Sequence, residues 1–275
     1  MPELPETETI ARDLAREVIG RTILGVSVRR PDVLREVTPL QFSRRLKGAR
    51  IERSWRRAKL IVLDLSTGNR LAVQPRFTGG LLLDDGNLNE RDRAYSTLDL
   101  LLDDGRRLHY SDVRRLGTVS LFSPERWAEY EGGLGVEPLD PEFSEERFSG
   151  ILRGSRQAVK KVIMDQKRVV GVGNIYANEA LWRAGIDPSR EARSLSAHEA
   201  SQLRSEIVQI LEEAIEARGT SFRDYRDASG ESGSFVNLLA VYGREGEPCR
   251  RCGRRLVGTH AIDGRATVLC VSCQQ

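Results

Sequence analysis

The chain has no long apolar run. None of its 275 residues lies in a stretch that approaches the roughly 20 apolar residues a membrane-spanning helix needs. No charged segment followed by an apolar one opens the sequence, as a secretory signal would. We therefore expect a soluble, cytoplasmic protein with no membrane partner. The length allows two domains with separate cores, and no internal repeat or low-complexity segment interrupts it.

Cysteine is absent until position 249. The four cysteines form two matched pairs, Cys249-x2-Cys252 and Cys270-x2-Cys273, within the last 27 residues. This clustering argues against disulfides distributed through the fold. The spacing is typical of a zinc ribbon with four thiolate ligands, and the alternative is unliganded or oxidised thiols. Because four protein ligands leave zinc no open position, we expect one structural Zn²⁺ ion.

Neither sign of charge is in large excess. The 43 basic residues nearly balance the 40 acidic ones, and the formal net charge is +3, so a nucleic-acid-binding surface has to come from local clustering. Such a cluster surrounds the cysteines: Arg250, Arg251, Arg254, Arg255 and Arg265. It suits contact with phosphates, although a solvated basic face would look similar.

The first half of the chain changes from a helical to a strand pattern. Apolar residues recur every four positions at Ile10, Leu14 and Val18, and Gly20 follows them, which predicts a helix from Pro5 to Val18. Short β-branched or leucine-rich runs follow, separated by turn residues. They are Ile23 to Val28, Leu60 to Leu65, Arg70 to Val73, Thr97 to Leu102, Arg107 to Tyr110 and Thr118 to Phe122. This pattern predicts an antiparallel β-sandwich.

After a Gly- and Pro-rich linker at 131–143 the period becomes helical. Ser155 is predicted to cap one helix and Asn174 another, while Ser196 and Glu199 form the capping box of the clearest helix. Glycines 171 and 173 precede the second of these helices, and backbone N–H groups there suit a phosphate. This signal is weak alone, and the pattern is not a dinucleotide fingerprint because no strand–helix–strand unit surrounds it.

The first six residues, Met1-Pro2-Glu3-Leu4-Pro5-Glu6, carry the sharpest chemical signal. If Met1 is removed, Pro2 presents a secondary amine with a reference pKa of about 7.7 to 8.0. Such an amine can attack a sugar C1′, expel a base and leave a Schiff base, and the carboxylates of Glu3 and Glu6 are placed to move protons. The alternative is that these residues only begin a helix, whose acidic side chains in the first turn interact favourably with the helix dipole. For Glu6 taken alone, this alternative is the favoured interpretation.

The hexapeptide resembles the N-terminus of the formamidopyrimidine-DNA glycosylase family. The resemblance continues in family order at these segments: Arg57-Ala58-Lys59, Leu134 to Leu139, Met164-Asp165-Gln166, Gly171 to Glu179, Tyr242-Gly243-Arg244 and Gly264 to Thr267. It implies an α+β fold with an N-terminal β-sandwich and its leading helix (1–130), the linker, a helix-two-turns-helix domain (144–235) and a zinc-finger hairpin (236–275). Residues 219–233, which read as a mobile loop, occupy the place of the lesion-capping loop.

The resemblance assigns roles residue by residue. Pro2 is implied to be the nucleophile and Glu3 the acid that protonates the deoxyribose ring oxygen. Lys59, Asn174 and Arg265 are implied to hold the phosphates beside a nucleotide flipped out of the duplex. Further candidates are Glu6, Lys160, Glu179 and Tyr242. For Lys160 and Glu179, a solvated helix face is an equally good interpretation.

The chain departs from the family where the hole in the duplex is filled. The usual His-Leu-Gly-Met-Ser-Gly pattern reads Gln74-Pro75-Arg76-Phe77-Thr78-Gly79, and the usual Pro-Arg-Arg-Phe-Gly reads Val113-Arg114-Arg115-Leu116-Gly117. Phe77 therefore takes the wedge position, Arg114 remains to read the opposite base, and Leu116 is apolar but not aromatic. Taken alone, Phe77 and Leu116 would pass as sandwich core residues.

The expected function is that of a monomeric glycosylase and abasic-site lyase. Its partner would be double-stranded DNA containing an oxidised purine, which places the protein at the bacterial nucleoid. One alternative is excision of oxidised pyrimidines, as in the endonuclease VIII branch, although Leu4 and Pro5 favour the purine branch. Another is a non-catalytic binder of damaged DNA, and a third is a plain zinc-ribbon nucleic-acid protein, which leaves the hexapeptide unexplained.

Overall fold

The computed structural model describes residues 2–221 and 225–275. Met1 and residues 222–224, in the middle of the predicted lesion-capping loop, lie outside the described residues. The chain divides into two compact units, Met1–Gly132 with Ile215–Val236 and Gly133–Ala214 with Asn237–Gln275. None of the helices in the described ranges has the length and apolar character that a membrane span requires.

The first unit opens with helix α1 (Leu4–Glu17), which confirms the predicted leading helix. Glu3 is its N-cap residue and forms a capping box with Glu6. Ile10, Leu14 and Val18 are fully buried, because their four-residue spacing places them on one face of the helix. This face packs into the core of the sandwich.

Two sheets build the rest of the first unit. The elements in chain order are β1 (Ile23–Val28), β2 (Leu34–Arg35), α2 (Pro39–Leu46), β3 (Ile51–Arg57), β4 (Leu60–Leu65), β5 (Arg70–Gln74), β6 (Gly79–Asp84), α3 (Glu90–Ala94), β7 (Ser96–Leu102), β8 (Arg107–Asp112), β9 (Thr118–Phe122) and α4 (Pro124–Gly132). One sheet has the order β1-β7-β8-β6 and the other β2-β9-β5-β4-β3. Only the short β2–β9 pair is parallel among the pairs of these two sheets in the described residues. The predicted sandwich is confirmed.

Sequence patterns did not identify β3 and β6. Both lie at the edge of their sheets, where one side of the strand has no neighbour and the alternation of apolar residues weakens. In β3 the sequence Ile-Glu-Arg-Ser-Trp-Arg-Arg is mostly charged, and β6 begins with two glycines. Neither segment therefore carries the usual signal of a buried strand.

The second unit is helical and ends in a small hairpin. Its helices are α5 (Glu145–Arg153), α6 (Val159–Met164), α7 (Asn174–Ala184) and α8 (Ala197–Glu216), whose last two residues belong to the first unit; β10 (Val257–Thr259) and β11 (Thr267–Leu269) pair as an antiparallel hairpin. The turns between α6 and α7 give the helix-two-turns-helix arrangement. The predicted succession of sandwich, helical domain and zinc-ribbon hairpin is thus confirmed.

The predicted caps of these helices have mixed outcomes. The Ser196–Glu199 capping box is confirmed, since Glu199 accepts from Ser196 N at 2.8 Å and Ser196 Oγ accepts from Glu199 N at 3.3 Å. The cap at Ser155 is wrong, because α6 begins later, after Ala158. Asn174 is also not a cap: Gly173 holds that position and Asn174 is the first helical residue.

Candidate functional site

The start of α1 is buried and tightly bonded. Pro2 is buried, and Glu3 is only 2% exposed. Glu6 Oε2 accepts a hydrogen bond from Glu3 N at 2.7 Å, and Glu6 Oε1 accepts one from Thr220 N at 2.7 Å. Glu6 therefore does more than interact favourably with the helix dipole. Its carboxylate joins the N-terminus to the segment that follows α8.

Gly219 and Tyr225 complete this contact, and sequence reasoning identified neither as a site residue. Gly219 has φ +84°, and a Cβ there would lie 2.9 Å from Glu6 Oε1, so only glycine fits. Tyr225 Oη donates to Glu6 O at 3.4 Å. Burial raises the pKa of Tyr225, and its hydroxyl therefore remains a donor. The only sequence signal for this contact with Glu6 was that Gly219 is a glycine at the start of a polar loop.

Lys59 lies in the tight turn between β3 and β4. It is 6% exposed, and Ala58 before it has φ +54°. Arg56 supports the turn by donating to Ala58 O at 3.1 Å, and it also donates to Glu8 of α1 at 2.9 Å. The turn that carries Lys59 and helix α1, whose N-cap is Glu3, are therefore held by the same arginine.

Phe77, Arg114 and Leu116 form an exposed surface that we call the insertion surface. Phe77 and Leu116 are 45% and 46% exposed, so their interpretation as core residues is wrong. β5 ends at Gln74 and β8 at Asp112, which leaves both apolar residues in loops. The guanidinium of Arg114 lies 4.4 Å from the centre of the Phe77 ring, a cation–π contact.

In the second unit, Lys160 and Asn174 hold the turn of the β10–β11 hairpin. Lys160 is fully buried; its Nζ donates to Thr267 Oγ1 at 2.7 Å and lies 3.6 Å from Asp263 Oδ1. The solvated-face interpretation of Lys160 is therefore wrong. Asn174 Nδ2 donates to Ala266 O at 2.9 Å. Between these anchors the side chain of Arg265 is exposed.

Glu179 is also buried, at 1% exposure, which excludes a solvated face for it as well. Its carboxylate accepts backbone hydrogen bonds from Ala240 at 2.8 Å, Val241 at 2.9 Å and Tyr242 at 2.7 Å. Burial raises the pKa of Glu179, and the three N–H donors and Arg183 oppose this. Glu179 thus fixes the turn that presents Tyr242.

The four cysteines converge beside α7. Their sulfur atoms all lie within 4.8 Å of one another, and Cys252 Sγ is 3.5 Å from Cys270 Sγ. Four thiolates about 2.3 Å from a tetrahedral metal ion would be nearly 4 Å apart, so the set fits a structural metal ion. Cys249 and Cys270 pack against Trp182 of α7.

Two arginines of the basic cluster are engaged within the protein. Arg251 lies 4.2 Å from the Trp182 ring centre and donates to Trp182 O at 2.8 Å. Arg250 donates to the carbonyls of Asn237 and Leu238, each at 3.3 Å. These two side chains therefore tie the cysteine-bearing loop to its own unit, which the charge pattern alone did not indicate.

Comparison with known proteins supports the same class. A family model described as the formamidopyrimidine-DNA glycosylase N-terminal domain matches residues 1–119, and one described as the H2TH domain of that glycosylase matches residues 134–226. The fold and both matched domains are those of a DNA glycosylase.

Individual relatives narrow the class further. Formamidopyrimidine-DNA glycosylases of Carboxydothermus hydrogenoformans and Xanthomonas euvesicatoria are 41% and 43% identical, over 100% of both chains. The Fpg of Lactococcus lactis in complex with DNA containing an abasic site superimposes with a TM-score of 0.91, at 33% identity and 99% coverage of both chains. The MutM (Fpg) protein of Thermus thermophilus gives 0.87 at 36% identity, covering 99% of this chain and 98% of that one. The chain belongs to the formamidopyrimidine-DNA glycosylase family.

Proposed function

We propose that the protein is a bifunctional DNA glycosylase and abasic-site lyase that removes oxidised purines through the amine of Pro2. The observation that carries this proposal is the buried Pro2–Glu3 pair at the start of α1, held by the capping box with Glu6. Burial excludes water from the reacting atoms. The capping box fixes the backbone that carries both groups, so the amine and the acid keep one mutual orientation.

The proposed reaction uses these two groups in sequence. The unprotonated Pro2 amine bonds to C1′ as the bond from C1′ to the base breaks. The base leaves with the electron pair and takes up the proton that the amine nitrogen releases. Glu3 gives a proton to the ring oxygen, which opens the sugar and leaves an iminium. Loss of the C2′ proton expels the 3′ phosphate and loss of the C4′ proton the 5′ phosphate. Hydrolysis then returns the amine.

Phosphate contacts in this proposal come from three residues. Lys59 is a nearly buried cation on a rigid turn, and Arg265 is an exposed guanidinium on an anchored hairpin; Asn174 stands at the start of α7, where backbone N–H groups favour anions. Double-stranded DNA with a damaged base is the proposed partner, acted on by a monomer in the bacterial cytoplasm. Similar Lactococcus lactis complexes contain Fapy-dG DNA, which supports a purine lesion.

The test is borohydride trapping of the mature protein on two duplexes, one with 8-oxoguanine opposite cytosine and one with an abasic site. We expect a covalent adduct on both. The adduct can be located unambiguously, because the tryptic peptide 2–12 contains no lysine and its one reactive amine is that of Pro2. An adduct on a lysine-containing peptide would remove Pro2 from this role. An adduct on the abasic duplex alone would mean that the lesion is wrong.

We also propose that the metal ion at the four cysteines is zinc. A closed set of four thiolate ligands favours zinc. In small zinc domains the apparent binding free energy of the ion, about 10 to 16 kcal/mol, contributes directly to the stability of the fold. We expect one zinc ion per chain to copurify. Cys249→Ser should lose it and weaken DNA binding while the sandwich remains folded.

Trp182 gives a local signal for this change. It packs on Cys249 and Cys270, whereas Trp55 and Trp127 lie in the sandwich. Chelation should alter the fluorescence of the wild-type protein but not that of a Trp182→Phe variant. Full DNA affinity in a zinc-free protein would contradict a structural role for the metal.

A further inference from the structure

The carboxylate of Asp112 joins the two loops of the insertion surface. Asp112 is 1% exposed at the end of β8. Its Oδ1 accepts from Thr78 Oγ1 at 2.6 Å and from Arg114 N at 3.2 Å. Its Oδ2 accepts from Gly117 N at 2.9 Å and from Tyr110 Oη at 3.1 Å. One buried group therefore bonds the loop that carries Phe77 and the loop that carries Arg114 and Leu116.

The side chain of Tyr110 lies beneath both loops and supports them. Its side chain is fully buried, and burial raises its pKa, so the hydroxyl remains a donor to Asp112. A Cβ at Gly79 would lie 2.7 Å from Tyr110 Oη, and one at Gly117 would lie 1.8 Å from it. The backbone approaches the hydroxyl too closely for a side chain both at Gly79, where β6 begins, and at Gly117, which explains a glycine at each position.

The bonds to Asp112 lie next to the exposed side chains. Thr78 follows Phe77, and its hydroxyl also accepts from Arg114 N at 3.1 Å. The backbone of Arg114 is thus held at its amide while its guanidinium stacks on Phe77. A side chain ordered before binding loses less conformational entropy on contact with its partner.

We propose that Asp112, with Thr78, is a positioning residue that sets the preference for the base opposite the lesion. This inference rests on the proposed function, in which Arg114 faces that base. Arginine distinguishes bases by the geometry of its hydrogen bonds, so its selectivity depends on how firmly its loop is held. Asp112 and Thr78 act through Arg114 and Phe77 and have no part in bond breaking.

Two kinds of variant test the proposal. Thr78→Val removes the hydroxyl with little change in shape, and Thr78→Ser keeps it as a matched control. Asp112→Asn is a second, independent variant. The oxygen of its carboxamide can serve the amide of Arg114 or that of Gly117, but the NH₂ group then faces the other amide. In either orientation, one amide of the loop that carries Arg114 and Leu116 loses the acceptor that Asp112 provides.

The measurement is the affinity for duplexes that contain a tetrahydrofuran abasic analogue opposite each of the four bases. We expect the wild type and Thr78→Ser to prefer one opposite base. In Thr78→Val and Asp112→Asn this preference should fall by about three- to tenfold, the loss expected from one hydrogen bond, without a matching loss of affinity for the least favoured duplex.

An unchanged preference in both folded variants would overturn the proposal, and so would a wild type that binds all four duplexes equally. Binding to the analogue requires no chemistry. A normal preference in a protein that forms no borohydride adduct would therefore count against the proposed function and not against this inference.

Discussion

Replacement of Glu3 by glutamine is expected to slow base excision by about 10²- to 10⁴-fold, the usual contribution of a general acid or base. The side chain is 2% exposed and caps α1. A glutamine oxygen can still accept the capping hydrogen bond, but its amide has no acidic proton for the sugar ring oxygen. The fold should survive while the proton transfer is lost.

The same variant should still form an adduct on a preformed abasic site. An abasic sugar already equilibrates with its open aldehyde, so the Pro2 amine can attack it without help from an acid. The experiment therefore compares single-turnover excision of 8-oxoguanine with borohydride trapping on an abasic duplex.

Glu17→Gln makes the same chemical change at the exposed, opposite end of α1 and should leave both reactions unchanged. An equal loss of both reactions in Glu3→Gln would mean that the variant disturbs the N-terminus. Normal excision would show that Glu3 is not the acid.

Replacement of Glu179 by alanine is expected to destabilise the second unit by about 3 kcal/mol, taking about 1 kcal/mol for each of three backbone amides that lose the carboxylate acceptor. The amides belong to Ala240, Val241 and Tyr242. Glu179→Gln should cost less, because its oxygen can keep the two bonds to Val241 and Tyr242 while its NH₂ group faces the amide of Ala240.

Hydrogen exchange of the backbone amides of residues 238–243 would measure directly how strongly each variant destabilises this turn. Protection should decrease from the wild type through Glu179→Gln to Glu179→Ala, and DNA affinity should fall with it as the turn at Tyr242 loosens. Glu212→Ala, at an exposed glutamate of α8 in the same unit, is the control. Equal protection in all four proteins would contradict a structural role for Glu179.

The features that sequence alone predicted are those whose signal is local. The apolar spacing of α1, the capping box at Ser196 and each of the two Cys-x2-Cys pairs taken singly lie within short segments of the chain. Their physics is equally local, because helix periodicity, cap bonds and metal-ligand spacing need no distant partner. The candidate site at Pro2 could be proposed from the sequence for the same reason, because its residues are consecutive in the chain.

The features that sequence missed depend on partners far along the chain. Lys160 is buried by a bond to Thr267, and Glu179 by bonds 61 to 63 residues away. The sequence around a charged residue on a helix does not indicate such a distant partner. A solvated side chain was therefore an equally good interpretation of Lys160 and of Glu179. Phe77 shows the converse. Taken without the family resemblance, its residue type indicated a core position, and the loop geometry shows that it is exposed.

The bond between Glu6 and Thr220 spans 214 positions of the chain, and this has a consequence for biosynthesis. At ordinary rates of translation, about 10 to 40 s pass between the synthesis of these two residues. Throughout that interval the ribosome-bound N-terminus lacks the partner that closes over it. The start of α1 is therefore made well before the segment that holds it, and the hydrogen bond from Thr220 to Glu6 forms only after that segment has been synthesised. The order of synthesis thereby separates the appearance of the N-terminal segment from the assembly of the candidate site to which it contributes.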